Sequence, residues 1–168
     1  IGFWEVGTFL IPQLGFPVDF VAKRMKNPYV DRYFEKLREA AGGRCLESKK
    51  GARRILRALG QKHMIAVLLD QHISRSEAVP VDFFGRKAWT TPIITQLAMK
   101  QGIPIVPVYS YRTEDFHYEI IAQPPILFAD EPGEEAVIRN TAHLSANIEA
   151  AVRRAPTQWF WVHRRWRD

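Results

Sequence analysis

Cysteine is almost missing from this chain. Cys45 stands alone among 168 residues, so no intramolecular disulfide can staple the fold, and a reducing compartment fits. Long apolar runs are missing as well. None approaches the ~18 consecutive residues that span a bilayer, so these residues hold no transmembrane helix. Neither GxxxxGKS/T nor GxGxxG occurs, which removes the usual phosphate-cradling loops of nucleotide binders. A GxSxG elbow is also lacking, so the serine nucleophile of an α/β hydrolase has no seat. The five histidines (His63, His72, His117, His143 and His163) form neither HExxH nor a close ligand pair. A metal site therefore has no support, and no cofactor is expected.

What is present argues for a packed core. Hydrophobic residues make up 46% and aromatics 12%, which excludes a disordered chain, and the length suits one domain over residues 1–168. Acidic residues are outnumbered, 18 against 24 Lys and Arg, for a net charge of +6. The excess is clustered. Arg44, Lys49, Lys50, Arg53, Arg54, Arg57 and Lys62 face only Glu47 across their stretch. The tail adds Arg153, Arg154, Arg164, Arg165 and Arg167, interleaved with Trp159, Phe160, Trp161 and Trp166. Such fields attract polyanions: phosphorylated substrates, an anionic membrane surface, or nucleic acid. A basic nucleic-acid-binding module is the alternative from another functional class. Against it, the charge sits with no RNP, helix-turn-helix or zinc-finger pattern.

Strand and helix signals alternate along the chain. Phe16, Val18, Phe20 and Ala22 read as a short strand after Gly15. Asn27-Pro28 is an N-cap with proline at the first helical position. Val30, Tyr33, Phe34, Leu37 and Ala41 then share one helical face, and Gly42-Gly43 is the stop. A basic helix follows around Ala52–Leu59. Met64–Leu69 is a continuous apolar run, the mark of a strand buried on both faces, and it ends in Asp70-Gln71. Thr91-Pro92 opens a further helix with Ile94, Leu97 and Ala98 inward and Gly102 as its stop. Ile103–Tyr111, interrupted by Pro104 and Pro107, reads as an edge or bulged strand. Phe116–Ile121 is its antiparallel partner across a turn near Glu114-Asp115. Residues 124–133 read as loop. Leu144, Ile148, Ala151 and Val152 mark a late helix, and Trp159–Val162 a last short strand. The order predicts an α/β fold with a mostly parallel mixed sheet flanked by helices.

Two stretches concern a His-x4-Glu motif. His72 and Glu77 form such a string, but with five histidines and 18 acids roughly half of one match arises by chance. It also runs into the polar loop Ser74–Ala78, with no helix to fix the acid. Glu5 opens the apolar segment Val6–Leu10, which could hold it rigidly. Taken alone, Glu5 also suits a helix N-terminus, where the macrodipole favours a carboxylate.

The order of several strings over essentially the whole chain resembles one family. They are Gly2-Phe3-Trp4-Glu5, Arg24 with Asn27-Pro28, Arg38, Leu68-Leu69-Asp70-Gln71, Phe83-Phe84-Gly85, Thr90-Thr91, Ile105-Val106-Pro107-Val108, and Trp161-Val162-His163-Arg164-Arg165. In this order the chain resembles the lipid A biosynthesis acyltransferases, late lauroyl/myristoyl transferases of Gram-negative envelopes and a branch of the glycerolipid acyltransferase superfamily. The related phosphatidylinositol mannoside acyltransferases would share the order. The resemblance implies a glycerolipid-acyltransferase-like fold and acyl transfer from acyl carrier protein or acyl-CoA to a hydroxyl of a glycolipid. It implies an anionic membrane surface at the cytoplasmic face of the inner membrane, with no nucleic acid as partner.

It also implies Glu5 as the catalytic acid beside a histidine base, with Arg24, Asn27, Arg38, Asp70, Gln71 and Gly85 binding substrate. Arg24 and Arg38 suit phosphate groups; Arg38 equally suits a salt bridge to Glu35 or Glu39. Asp70-Gln71 suits a pocket rim or a turn, and Phe83-Phe84-Gly85 an acyl-chain wall or core with a turn glycine. The motif histidine would stand immediately before Ile1. The expectation is therefore a piece of a longer protein, with a membrane anchor upstream and little activity of its own.

Overall fold

A computed structural model describes residues 1–2, 5–22, 25–47 and 51–167. Helices and small sheets alternate, so the α/β expectation holds for the described residues. The chain divides into two compact units: Trp4–Leu68, and Ile1–Phe3 together with Leu69–Asp168.

The smaller unit is built as two successive strand–helix–strand steps. Helix α1 (Glu5–Gln13) precedes β1 (Val18–Ala22), α2 (Pro28–Ala40), β2 (Arg44–Glu47), α3 (Gly51–Gly60) and β3 (Met64–Ala66). The three strands are parallel in the order β2-β1-β3, with Phe20 opposite both Cys45 and Ala66. The central strand β1 buries Val18, Asp19 and Phe20 in succession, as a strand covered on both faces must. Helix α2 begins as its sequence dictates: the Asn27 side-chain oxygen accepts from the Tyr29 N–H at 3.0 Å and the Val30 N–H at 3.4 Å, with Pro28 at the first helical position. It ends before Gly42, whose φ of 92° a side chain resists. Gly43 has a packing role, because a Cβ there would lie 2.3 Å from the Phe20 ring.

Two readings change in this unit. Met64–Leu69 is not a long strand covered on both faces. Strand β3 has three residues and lies at the sheet edge, with Met64 43% exposed. Edge position removes the need for cover on both sides, and an apolar run alone does not reveal it. The apolar stripe of α2 is covered only in part: Val30 and Tyr33 are exposed, Phe34, Leu37 and Ala41 are half-buried, and Arg38 is buried.

The larger unit holds two antiparallel hairpins, β4 (Val79–Phe83) with β5 (Arg86–Thr90), and β6 (Val108–Arg112) with β7 (Tyr118–Ala122). Helix α4 (Ile93–Gln101) lies between them in sequence, and α5 (Glu134–Arg154) follows. Among the described residues the expected single, mostly parallel sheet is thus three small sheets, of which only β2-β1-β3 is parallel. Prolines 104 and 107 shorten the first strand of the second hairpin, leaving Ile105 a lone bridge to Ile126. Helix α5 packs on β4, where Phe83, Ala88, Val152 and Trp159 form a core cluster. Helix α4 buries Thr95, Ala98 and Met99 rather than Ile94 and Leu97. A hydrogen bond between the Thr95 and Thr141 hydroxyls at 3.0 Å ties it to α5.

The tail is not a strand. A 3-10 turn at Pro156–Gln158 leads into successive turns. Indole donors explain why. Trp159 Nε1 donates to Asp70 at 2.9 Å, Trp161 Nε1 to the Pro156 carbonyl at 2.6 Å, and Trp166 Nε1 to the Phe83 carbonyl at 3.0 Å. Each ring then packs on its neighbours, with Trp159 4.6 Å from Trp161 and 5.5 Å from Phe83. Side-chain hydrogen bonds in three directions replace a strand ladder.

Candidate functional site

Glu5 stands in the first turn of α1, where a carboxylate meets the positive end of the helix. It is 6% exposed, and its charge is matched by Arg38 from α2, also 6% exposed. Arg38 Nη2 donates to Oε1 at 2.6 Å and Nε to Oε2 at 3.2 Å, a two-pronged pairing. The Thr8 hydroxyl lies 3.2 Å from Oε2 and 2.7 Å from the Glu5 carbonyl. Burial pulls Arg38 down, but the hydrogen bonds and charge of Glu5 outweigh it, so the guanidinium stays above its ordinary value and always charged. An ionised carboxylate has about four acceptor positions. Two are met by Arg38, and the single Thr8 hydroxyl hydrogen is shared between Oε2 and the Glu5 carbonyl.

A second buried acid lies on β1. Asp19 is 0% exposed and accepts from Arg44 Nε at 2.8 Å and Nη2 at 2.7 Å. His63 Nδ1 stands 3.2 Å from Oδ1. Burial pushes the Asp19 carboxyl up, but Arg44 and His63 outweigh that and hold it below its ordinary value.

In the larger unit, Asp70 and Gln71 are gathered by the tail. Asp70 accepts from Trp159, and the Gln71 carbonyl accepts from Arg165 Nη1 at 3.1 Å. Arg165, 1% exposed, also donates to the Trp89 carbonyl at 2.8 Å and to the Thr90 hydroxyl. Burial lowers Arg165 to about 10, against the raising effect of Asp70. Beside it, His72, Phe160, Val162, His163, Arg164 and Arg167 line a cleft of about 300 Å³.

The sequence-derived site residues therefore separate into groups. Glu5 and Arg38 meet, and the partner of Arg38 is Glu5 rather than Glu35 or Glu39. Asp70 and Gln71 share the Trp159–Arg165 turn. Asn27 caps α2. Gly85 sits in the β4–β5 turn after Phe84, both at positive φ, and its N–H donates to Asp82 Oδ1 at 3.1 Å. Arg24 lies outside the described residues. His72 makes no bond to Glu77, which ends a 3-10 turn at Arg75–Glu77. Thr8 and Arg165 are the additions that the sequence reading missed. Thr8 is the i+3 neighbour of Glu5, a spacing that could have been used. Arg165 lay inside a quoted string but was counted with the basic tail. Among the described residues there is no cluster of three or more His, Cys, Asp or Glu able to hold a metal. None of the described helices is long and apolar enough to cross a membrane.

Curated proteins share this sequence at moderate identity. A lipid A biosynthesis acyltransferase of Haemophilus influenzae is 27% identical over 159 residues, which is 94% of this chain and 48% of that protein. Lipid A biosynthesis acyltransferase 2 of Shigella flexneri is 23% identical over 159 residues, 94% of this chain and 50% of its own length. The chain thus spans about half the length of these relatives. The family model for bacterial lipid A biosynthesis acyltransferases matches residues 1–168, the whole of the sequence. With that match from end to end, the chain belongs to the bacterial lipid A biosynthesis acyltransferase family.

Proposed function

We propose that this chain carries part of the active site of an enzyme that moves a fatty acyl group from a thioester to a hydroxyl of a glycolipid such as a lipid A precursor. The donor is acyl carrier protein or acyl-CoA, the fold is glycerolipid-acyltransferase-like, and the substrate is met at the cytoplasmic face of the inner membrane. Residues 1–168 act as its acyltransferase domain. The observation that carries the reading is the buried Glu5 carboxylate, fixed by Arg38 and Thr8. Family membership agrees with it.

The chemistry needs such a group. A hydroxyl is a weak nucleophile at neutral pH, so an imidazole takes its proton as the oxygen attacks the thioester carbonyl carbon. The carbon–sulfur bond then breaks, and the thiolate leaves with that proton. Glu5 accepts the N–H of the other imidazole nitrogen, fixes the tautomer and stabilises the imidazolium. Arg38 holds the Glu5 side chain in place through its two contacts. Asp70, Gln71 and Gly85 belong on the substrate side of this reading, with Asn27 and Arg24.

The test measures transfer of a labelled acyl chain from its thioester to a lipid A precursor in mixed micelles. In a longer form that carries the motif histidine, Glu5→Gln is expected to lower turnover by about 10²–10⁴-fold. The pair Glu5→Leu/Arg38→Met removes both buried charges together and regains stability, yet it should stay as slow as Glu5→Gln. If that pair turned over like the parent, Glu5 would be structural only. A form extended upstream of Ile1 should transfer acyl groups faster than residues 1–168 alone; equal rates would remove the motif histidine from the mechanism.

A further inference from the structure

The acyl-transfer reading leaves the cleft beside Arg165 unexplained. Three side-chain nitrogens are buried without a hydrogen-bond partner among the described residues: His72 Nδ1 and His163 Nδ1, whose side chains line the cleft, and Nε of Arg165, between Arg164 and Trp166 in sequence. Buried polar atoms nearly always find partners, so two such orphans on one cleft are informative. The cleft is lined by the two histidines, Arg164 and Arg167, with Phe160 and Val162 as apolar walls. Its volume of about 300 Å³ lies at the small end of ligand-holding cavities. Arg164 and Arg167 are exposed, and neither has an ion-pair partner among the described residues.

Charge here is unbalanced. Arg75, Arg165 and Arg167 act on His72 together with His163, and no carboxylate among the described residues opposes them there. Arg165 and Arg167 act on His163, opposed among the described residues by Asp70 alone, one of whose oxygens already accepts from Trp159. Burial and these cations hold both imidazoles below their ordinary values, with Asp70 working the other way on His163. Several cations around two donor-capable rings are the reverse of a metal site. They suit an anion with several oxygens.

We propose that the cleft between His72 and the Phe160–Arg167 turns is a binding site for a phosphate monoester, held by Arg164 and Arg167 at the rim and by the His72 and His163 rings. Guanidinium forks match phosphate oxygens in pairs, and a protonated imidazole adds a charge-assisted donor. The exposed Phe160 and Val162 side chains give the group that carries the phosphate an apolar flank. The site is measured without turnover, so it can fail while the acyl-transfer reading stands, and the reverse.

The experiment follows the His72 and His163 ring signals by NMR while the chain is titrated with inorganic phosphate, against chloride at equal ionic strength. Bound phosphate stabilises the imidazolium forms, so both histidine titrations should move to higher pH, saturably. Unchanged titrations would overturn the proposal. In Arg164→Gln/Arg167→Gln both substituted side chains are exposed, so its melting curve should match the parent. Its affinity for phosphate should be roughly tenfold weaker or worse. Parent-like affinity would place binding elsewhere and also overturn it. Vesicles containing phosphatidic acid are then compared with vesicles of equal charge made with phosphatidylglycerol, a diester. Shifts with phosphatidic acid alone assign the site to a lipid headgroup. Shifts with free phosphate but with neither vesicle assign it to a soluble phosphorylated molecule. Equal shifts with both lipids would reduce the effect to general surface charge and overturn the site.

Discussion

At the scale of single residues, the Glu5–Arg38 pair decides both stability and chemistry. Removing Glu5 takes from Arg38, 6% exposed, the carboxylate that its Nη2 meets at 2.6 Å. Breaking a buried pair in this way costs about 3–5 kcal/mol, whereas replacing both partners by apolar side chains is often neutral. Urea denaturation should therefore show Glu5→Gln strongly destabilised and Glu5→Leu/Arg38→Met close to the parent. A Glu5→Gln variant as stable as the parent would mean that Arg38 finds another partner. Asp19 adds a pH dependence of known sign. Its folded value lies below its ordinary 3.8, so the stability it contributes is full above that value and is lost as pH falls through it toward the folded value. Asp19→Asn should be less stable than the parent at neutral pH, with the gap closing below about pH 4. A gap that stays constant on acidification would exclude this linkage. The acid at position 5 was legible from its place before an apolar run. Its partner was not, because Arg38 lies 33 positions on and the choice between Glu5, Glu35 and Glu39 belongs to tertiary packing.

Among the elements, those with local signals were the ones the sequence revealed. The Asn27-Pro28 start of α2, Gly102 at the end of α4 and the β6–β7 pairing all follow from residues within a few positions of each other. The tail failed for the opposite reason. Its tryptophans look like a strand, yet their indole donors reach Asp70 and Phe83, more than 80 positions away. Helix α3 was expected from its charge and is present, burying Ile55 and Ala58 and exposing Arg53, Arg54 and Arg57. Lys49 and Lys50, expected to extend its basic side, lie outside the described residues. Arg53 and Arg57 are four apart and share a face. A basic residue near an anionic leaflet contributes about 1 kcal/mol, so Arg53→Gln/Arg57→Gln should weaken co-sedimentation with anionic vesicles roughly thirtyfold. Binding should also fall as salt rises, because the Debye length is ~8 Å at physiological ionic strength. Undiminished sedimentation would leave this face merely solvated.

For the molecule as a whole, the path of the chain matters as much as its charge. Gly2 is held in the larger unit: its N–H donates to the Gln158 carbonyl at 2.8 Å, and the Ser110 hydroxyl donates to the Ile1 carbonyl at 2.9 Å. Only glycine fits, since φ is 61° and a Cβ would come 2.4 Å from the Ser110 carbonyl oxygen. The chain then builds Trp4–Leu68 and returns to the same larger unit at Leu69. While Gly2 stays bonded, an unfolded smaller unit is a closed ring of roughly 65 residues and not a free arm. The length-dependent part of ring closure for such a segment is about 4 kcal/mol. Two hydrogen bonds at Ile1 and Gly2, which touch no strand of the β2-β1-β3 sheet, thereby narrow the disorder that this sheet gains on unfolding.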